Sequence, residues 1–363
     1  MKHYDYEEDF HAKDRKQFRK ERKIAQSTDR SKFKKTDLDR RVSAPEIASH
    51  LPRGRVIAIS GEGAWIESEG NRILCTLKGL LKKEKGHSKN LIAVGDWVRF
   101  SDNSLIQVEE RTSFLSRADI TGRQEQLIAV NIDQAMVTVS IGNPPLKPAL
   151  VDRYLIALEK GNIRPIIVIN KIDLLPSIDA EEQQFYRTFL ADYEPLGYPI
   201  LSVSTVTGDG IDALRSLLQH KTSVFSGQSG AGKSSLLNAC FGLSLKTGEL
   251  SQKTQKGSHT TTTAELLPLP GGGYCVDTPG IRSFAIWNLQ PTDLIHHYRD
   301  IAKFATRCQF PDCVHLEEPN CAVRKAVEKK KLSALRYNSF QSLFNEIRGG
   351  PDQRTRKKME EDL

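Results

Sequence analysis

Long apolar runs are missing from this sequence of 363 residues. No stretch approaches the roughly 18 consecutive apolar residues that a membrane-spanning helix requires. The N-terminal stretch MKHYDYEEDFHAKDRKQFRK also lacks the apolar segment of a secretory signal. Both absences argue against membrane insertion and secretion, so we expect a cytoplasmic protein with no membrane partner.

Cysteine is also scarce, with six residues in the chain, which argues against a disulfide framework. Three of them cluster with a histidine as Cys308-x4-Cys313-x-His315-x5-Cys321. Three thiolates and one imidazole form a closed tetrahedral set of the structural zinc type, and sulfur ligands disfavour magnesium or calcium. The pattern therefore predicts one structural Zn²⁺.

The charge of the chain is positive, with a formal net value of +8 and a pI near 9.1. Such a charge suits a polyanionic partner, but taken alone it fits a merely soluble surface equally well. The 38% hydrophobic and 27% charged residues are ordinary for a soluble globular protein of two or three domains.

The pattern of elements predicts a multidomain α/β protein. Five short β-rich runs within about 60 residues, Asp96–Phe100 among them, indicate an OB-like β-barrel, although an SH3-like barrel has the same signature. Further along, strands such as Gln134–Ser140 alternate with helical stretches such as Ile211–Leu218, which is typical of a parallel sheet. We divide the chain into a flexible basic tail (1–48), an OB-fold RNA-binding barrel with a basic loop at Lys78–Lys89 (49–112), a nucleotide domain (113–285), a helical zinc-binding domain (286–345) and a charged tail (346–363).

A complete phosphate-binding loop follows the strand Val224–Ser226. Its glycines let backbone N–H groups surround phosphates, and the helix that follows adds its positive N-terminal end. Lys233 is expected to reach the β and γ phosphates, and the Ser234 hydroxyl to bind Mg²⁺. The predicted nucleotide contacts here are Gly227, Gln228, Ser229, Gly230, Ala231, Gly232, Lys233, Ser234 and Ser235.

A guanine-reading tetrapeptide, Asn170-Lys171-Ile172-Asp173, follows another apolar strand and precedes the phosphate loop. The Asp173 carboxylate can accept two hydrogen bonds from guanine, whereas adenine offers no matching donors. Ser204, at the end of the next strand, is a further candidate contact. In an ordinary GTPase the phosphate loop comes first, so this order predicts a circularly permuted nucleotide domain that binds GTP and GDP.

Two later segments are candidates for switches that sense the γ-phosphate. Asp277-Thr278-Pro279-Gly280 is expected to bind Mg²⁺ through Asp277 and the γ-phosphate through the Gly280 N–H. One threonine of Gly257–Thr263 is expected to close over the magnesium. Thr261 is our candidate, although the sequence does not fix which threonine of the run takes that place.

Position 281, where classical GTPases place the glutamine that orients water, is isoleucine. Isoleucine cannot orient water, so the catalytic candidates are His259, Lys233 and Thr261, or a group supplied by a partner. We therefore predict slow intrinsic turnover that a partner raises.

These features together resemble the small ribosomal subunit-dependent GTPase family, the circularly permuted ribosome-assembly GTPases with an N-terminal barrel. The resemblance covers about residues 50–345. It implies a monomeric late maturation factor that binds the small ribosomal subunit and its rRNA with GTP and leaves after hydrolysis. The alternatives are a permuted GTPase of the large subunit, a GTP-sensing RNA-binding protein with little turnover, and an ATP-dependent kinase.

The permuted order also suggests a mechanical hypothesis. The Asp277–Gly280 switch leads directly into the zinc domain, while the barrel joins the other end of the nucleotide domain. Loss of the γ-phosphate would then change the angle between the two outer modules.

Overall fold

The computed structural model describes residues 50–77, 91–118, 125–243, 264–277 and 289–349. The predicted tail at 1–48, the loop at Lys78–Lys89 and the candidates His259, Thr261 and Gly280 lie outside these ranges. Of Asp277, only the backbone is described.

The N-terminal part of the described chain is a small β-barrel. Its strands are β1 (Arg53–Ile59), β2 (Ala64–Ser68), β3 (Asn71–Cys75), β4 (Trp97–Ser101) and β5 (Ser104–Val108). Antiparallel pairs give the order β3-β2-β1-β4-β5. Main-chain hydrogen bonds at Thr76 close the circle, because its N–H donates to Asn103 O (2.8 Å) and its carbonyl accepts from Leu105 N (2.9 Å).

Alternation along the strands explains the barrel core. Val56, Ile66, Val98 and Leu105 each have no exposed surface and pack together inside the barrel. The predicted strand at Asp96–Phe100 begins one residue too early, because β4 starts at Trp97 and Asp96 lies in the preceding turn. Its buried carboxylate accepts hydrogen bonds from Ala93 N (2.7 Å) and from the Arg111 guanidinium (2.7 and 2.9 Å).

A hairpin that the sequence patterns did not predict follows the barrel. It consists of β6 (Phe114–Ala118) and β7 (Glu125–Val130), paired antiparallel. The hairpin lies against the barrel at Val94, whose carbonyl accepts from Val130 N (2.8 Å).

The central sheet has the order β10-β9-β8-β11-β13-β12 and is parallel except for β12. Its strands are β8 (Gln134–Ser140), β9 (Arg164–Asn170), β10 (Ile200–Ser202), β11 (Thr222–Gly227), β12 (Glu265–Pro268) and β13 (Tyr274–Asp277). The predicted strand at Gln134–Ser140 has these same bounds, whereas β12 was not predicted. β12 also pairs with β1, so the central sheet continues into the barrel.

Helices cover both faces of this sheet, as expected for a parallel sheet. They are α1 (Pro148–Lys160), α2 (Ala180–Tyr193), α3 (Ile211–Leu218) and α4 (Lys233–Phe241), with 3₁₀ turns at Ile172–Leu174 and Glu194–Leu196. Alternate residues of β8 serve the two faces: Val137 packs in the core with α1 and α2, and Met136 in the core with α3 and α4.

The C-terminal part is helical and has a core of its own. It contains a 3₁₀ helix (Pro291–His297), α5 (Arg299–Ala305), α6 (Ala322–Glu328) and α7 (Ala334–Gly349). Tyr298, Phe340 and Leu343 are almost fully buried there, and Ile156 of α1 joins the same core. Within the described ranges, each helix is too short or too polar to cross a membrane.

Candidate nucleotide site and metal centre

The phosphate loop lies at the carboxyl end of β11, between that strand and α4. Two of its glycines lie at positions where a side chain would not fit. Gly227 has φ +134°, and a Cβ there would lie 2.0 Å from the Thr138 carbonyl oxygen of β8. Gly232 has φ +91°, and its Cβ would lie 2.2 Å from Asn170 Nδ2. Both positions are in the left-handed region, which glycine adopts without steric cost.

The helix that follows presents its N-terminus to the loop. α4 starts at Lys233 after Gly232, and no side chain caps it. Its first N–H groups are therefore oriented as an anion site requires. The Lys233 ammonium donates to the carbonyl oxygens of Gly227 (2.9 Å) and Gln228 (2.8 Å), and Ser234 is buried beside it.

The guanine-reading tetrapeptide lies at the end of the neighbouring strand β9 and contacts the phosphate loop directly. Asn170 is buried, and its amide Nδ2 donates to the Ala231 carbonyl oxygen at 3.0 Å. This contact connects the tetrapeptide to the phosphate loop. It spans 61 positions along the chain, and only the absence of a side chain at Gly232 leaves room for it.

Ser204 joins the same site from the end of β10. Its Oγ donates to Asp173 Oδ1 at 2.6 Å and accepts from the N–H groups of Val206 and Thr207 at 3.1 Å each. Ser204 is fully buried, so these bonds orient the carboxylate of Asp173. The carboxylate keeps further acceptor sites, which can receive a pair of donors of the kind that guanine offers.

The loop after β8 is a part of the site that sequence reasoning missed. The Lys171 ammonium donates to the Asn143 carbonyl oxygen, and the Gly142 N–H donates to Glu182 Oε1 (2.9 Å). Pro144 packs beside Gly230 of the phosphate loop, where an added Cβ would lie 3.4 Å from its Cδ. The available signal was positional, because ligands bind at the carboxyl ends of strands in such sheets.

The predicted switch residue Asp277 ends β13, the strand next to β11. Its backbone is in register with Glu265 of β12. Because β11 and β13 are parallel neighbours, their carboxyl ends lie at the same edge of the sheet, and the phosphate loop follows one of them.

The predicted zinc ligands come together in the C-terminal part. The ligand atoms of Cys308, Cys313, His315 and Cys321 all lie within 4.8 Å of one another. His315 Nδ1 is 3.5 Å from Cys308 Sγ and 3.6 Å from Cys321 Sγ, and these two sulfurs are 3.9 Å apart. A tetrahedral zinc site requires about 3.5 Å between nitrogen and sulfur and about 3.8 Å between sulfurs. The cluster therefore fits zinc.

The surroundings of the cluster hold its ligands in place. The Tyr337 hydroxyl of α7 donates to the His315 carbonyl oxygen (2.7 Å), and the Ala322 N–H of α6 donates to Cys308 Sγ (3.3 Å). Burial lowers the pKa of His315, which favours the neutral imidazole that a metal needs.

The sheet, the glycine loop and the guanine reader together define a P-loop GTPase domain that is circularly permuted. A family model, RsgA GTPase, matches residues 108–287. Among similar proteins are the small ribosomal subunit biogenesis GTPases RsgA of Bacteroides fragilis and Chlorobaculum parvum. They are 34% and 39% identical to this chain, and each match covers 81% of this chain and 97% of the relative. The chain belongs to the RsgA family of GTPases and is a GTP hydrolase.

Solved structures agree with the fold. YjeQ from Thermotoga maritima is similar with a TM-score of 0.64 and 32% identity, over 82% of this chain and 99% of that one. YloQ, a circularly permuted GTPase, is similar with a TM-score of 0.61 and 29% identity, over 84% and 98% of the two chains. The predicted fold class, including the permuted order, is confirmed.

Proposed function

We propose that this GTPase binds the small ribosomal subunit and its rRNA with GTP, acts late in subunit maturation, and leaves after hydrolysis to GDP and phosphate. The proposal rests mainly on one observation: relatives named for small-subunit biogenesis match 81% of this chain and 97% of their own length. The barrel (49–112) and the zinc region (286–345) are the proposed contacts with rRNA.

Guanine selection is assigned to Asp173, held by Ser204. A charge-assisted pair of hydrogen bonds to guanine N1–H and the amino group contributes about 1.5–3 kcal/mol per bond, and adenine would leave the carboxylate unpaired. Asn170 supports this recognition from behind, because it connects the guanine-reading loop to Ala231 at 3.0 Å. An ATP-dependent kinase is disfavoured on the same ground.

Phosphate binding is assigned to the loop Gly227–Ser235 and to the N-terminus of α4. Lys233 would exchange its two carbonyl partners, 2.9 and 2.8 Å away, for oxygens of the β and γ phosphates. Ser234, Asp277 and Thr261 are the proposed residues around Mg²⁺. When bound, the ion neutralises charge that develops on the phosphates.

Activation of the attacking water is the step for which the chain supplies the fewest candidate residues. Position 281 is isoleucine, and His259 is the proposed substitute within the chain. We therefore expect slow turnover by the protein alone, and stimulation by a partner that orders the catalytic residues. A zinc ion held by three cysteines and His315 would have a structural role, because four protein ligands would leave no open position for chemistry.

Turnover of GTP by the full chain, alone and with purified small or large ribosomal subunits, tests the proposal. We expect stimulation of about 10²-fold or more by small subunits, since supplied catalytic groups are worth 10³–10⁵ in GTPases. Stimulation by large subunits alone would support a factor of large-subunit assembly instead. Subunit binding without stimulation would support a GTP-sensing RNA-binding protein.

A further inference from the structure

The barrel and the nucleotide site are joined by one line of main-chain pairs. Glu265 of β12 pairs on one side with Asp277 of β13 and on the other with Ala58 of β1. Because neighbouring strands are about 4.8 Å apart, only about 10 Å of sheet separates the proposed magnesium residue from the barrel. Strand β12 alone lies between them.

A β-bulge in β1 strengthens this junction. Arg55 and Val56 pair with Glu67 and Ile66 of β2, but the next pair is Ala58 with Trp65, so Ile57 is an extra residue. Bulges redirect side chains. Ile57 is 2% exposed and packs in the core of the central sheet, whereas its neighbour Val56 packs inside the barrel.

Ile57 shares its core with residues of the hairpin. Its apolar core also contains Leu266 of β12 and Val276 of β13. A shift of the hairpin relative to the sheet would therefore change the packing of a barrel strand, because closely packed interiors transmit displacement.

Arg55 adds a polar contact at the same place. Its guanidinium lies between two aromatic rings, 5.4 Å from the centroid of Trp97 in the barrel and 5.0 Å from that of Tyr274 at the start of β13. Arg55 is 7% exposed, and one Nη donates to Asn131 O (3.0 Å), while Nε has no partner among the described residues. Arg55 therefore contacts the barrel and the start of β13 at the same time.

Tyr274 completes the contact on the hairpin side. Burial first, and then the charge and hydrogen bond of the Glu67 carboxylate, raise the pKa of Tyr274. Glu67 lies opposite Arg55 on β2, so two barrel strands face the residue that begins β13. β13 then ends at Asp277.

We propose that the β12–β13 hairpin couples the nucleotide site to the barrel, with Arg55 and Tyr274 as positioning residues at the junction. Coupling between two sites is reciprocal for binding free energies. A nucleotide that favours one position of β13 must therefore change the barrel strand β1, and a partner that holds the barrel must change nucleotide affinity.

Hydrogen–deuterium exchange of the full chain, saturated with GDP or with a non-hydrolysable GTP analogue, tests the coupling without any ribosomal partner. We expect exchange in Arg53–Ile59 to differ between the two states, and Arg55→Met to reduce that difference by at least about half. Equal exchange of this strand in both states would overturn the inference.

Arg53→Met is the matched control. Arg53 stacks on Trp97 at 3.9 Å like Arg55, but its side-chain hydrogen bonds go to Glu109, also in the barrel region. The difference between states is expected to persist in this variant, and its loss there as well would contradict a specific role for Arg55. If Arg55→Met fails to fold, Tyr274→Phe takes its place, because it keeps the ring and removes the hydroxyl that faces Glu67.

Turnover supplies a second readout, which rests on the proposed function. The ratio of turnover with and without small subunits should fall at least about fivefold in Arg55→Met and stay unchanged in Arg53→Met. A nucleotide-dependent β1 in a protein that small subunits do not stimulate would retain the coupling and reject the proposed partner. An unchanged ratio in Arg55→Met would contradict the coupling.

Discussion

The central domain is attached to its two neighbours in different ways. On the barrel side, the attachment consists of a main-chain pair at Ala58, the buried Ile57 and an arginine whose Nε has no hydrogen-bond partner in the described part of the chain. On the zinc side, Arg336 of α7 binds two carboxylates at once: Asp152 of α1, and Asp300 at 2.9 and 3.2 Å.

The carboxylate that Arg336 binds on α1 has further hydrogen-bond partners. Asp152 is 2% exposed and accepts hydrogen bonds from the Tyr193 hydroxyl (2.8 Å) and from Ser339. Burial opposes the charge of Arg336, but Asp152 and Asp300 outweigh that effect and raise its pKa. A fully bonded buried network has one arrangement, because any displacement leaves charges unpaired.

The permuted order suggests that the angle between the two outer modules changes, and this difference indicates which module moves. Movement of the zinc region would break the paired charges around Arg336. Movement of the barrel would disturb contacts that are apolar or incomplete, so it should cost less free energy. We therefore expect the zinc region to move with α1 and the barrel to respond to nucleotide.

Removal of zinc should have the largest effect on the zinc side. Structural zinc contributes about 10–16 kcal/mol of apparent binding energy, which becomes folding energy for the region that surrounds it. We expect one zinc per chain by metal analysis, and a strong rise in proteolysis of 289–349 on chelation. The Tyr337–His315 contact would be lost, and α7 would be released with it.

Zinc added back should restore protection, which is the control for damage by the chelator. Barrel peptides should keep their protection throughout. A chain that contains no zinc, or that resists proteolysis after chelation, would contradict the structural role of the cluster.

Breaking the Arg336 network should have the next largest effect. Arg336→Met leaves Asp152 buried without its cation, and we expect a loss of about 3–5 kcal/mol in the free energy of unfolding. Arg55→Met removes a cation whose one side-chain hydrogen bond among the described residues goes to a carbonyl oxygen, and about 1 kcal/mol is expected. Urea unfolding measures both.

The double variant Asp152→Leu with Arg336→Met is the matched control, since apolar replacement of both partners recovers part of the loss. Equal destabilisation by the two single arginine variants would remove the distinction between the junctions.

The smallest expected effect concerns Glu159 at the rim of the zinc side. Its carboxylate contacts His297 Nδ1 (3.2 Å) and Arg299 (2.6 Å). The hydrogen bond of His297 first, and then the charge of Arg299, lower the pKa of Glu159 although burial opposes them. Because the folded pKa is lowered, the stabilisation is present above the unfolded value of about 4.3 and disappears as pH falls through the folded pKa.

For a half-exposed pair the size is about 1 kcal/mol or less. Glu159→Gln should therefore match the unaltered protein below that window and be slightly less stable at neutral pH, as thermal unfolding across pH would measure. A variant that is less stable only at low pH would reverse the assignment.

Much of the candidate site was predictable because its motifs are short and local. The phosphate loop, Asn170–Asp173 and the Cys/His set each combine a residue type with a fixed spacing, so their chemistry is visible in the chain. The helix at Ile211–Leu218 had the predicted bounds for a similar reason, since its apolar spacing is regular.

Long-range pairing was not predictable in the same way. Strand β12 is four residues long, and its pairing with β13 and β1 is what identifies it as a strand. Arg336 reads as an ordinary solvated residue of a helix, but its partner Asp152 is 184 positions away. Likewise, nothing around Asn143 signals that it lies beside Lys171.

Nucleotide type, the permuted order and the metal set thus follow from the chain alone, because each depends on donors and acceptors a few residues apart. The tertiary structure decides which outer module is firmly held and which lies within reach of the switch strand. That property arises from hydrogen bonds and packing between segments that are distant in the chain. Arg336 binds two carboxylates, whereas the Nε of Arg55 has no partner among the described residues, and the difference lies in the groups that the fold places around each arginine.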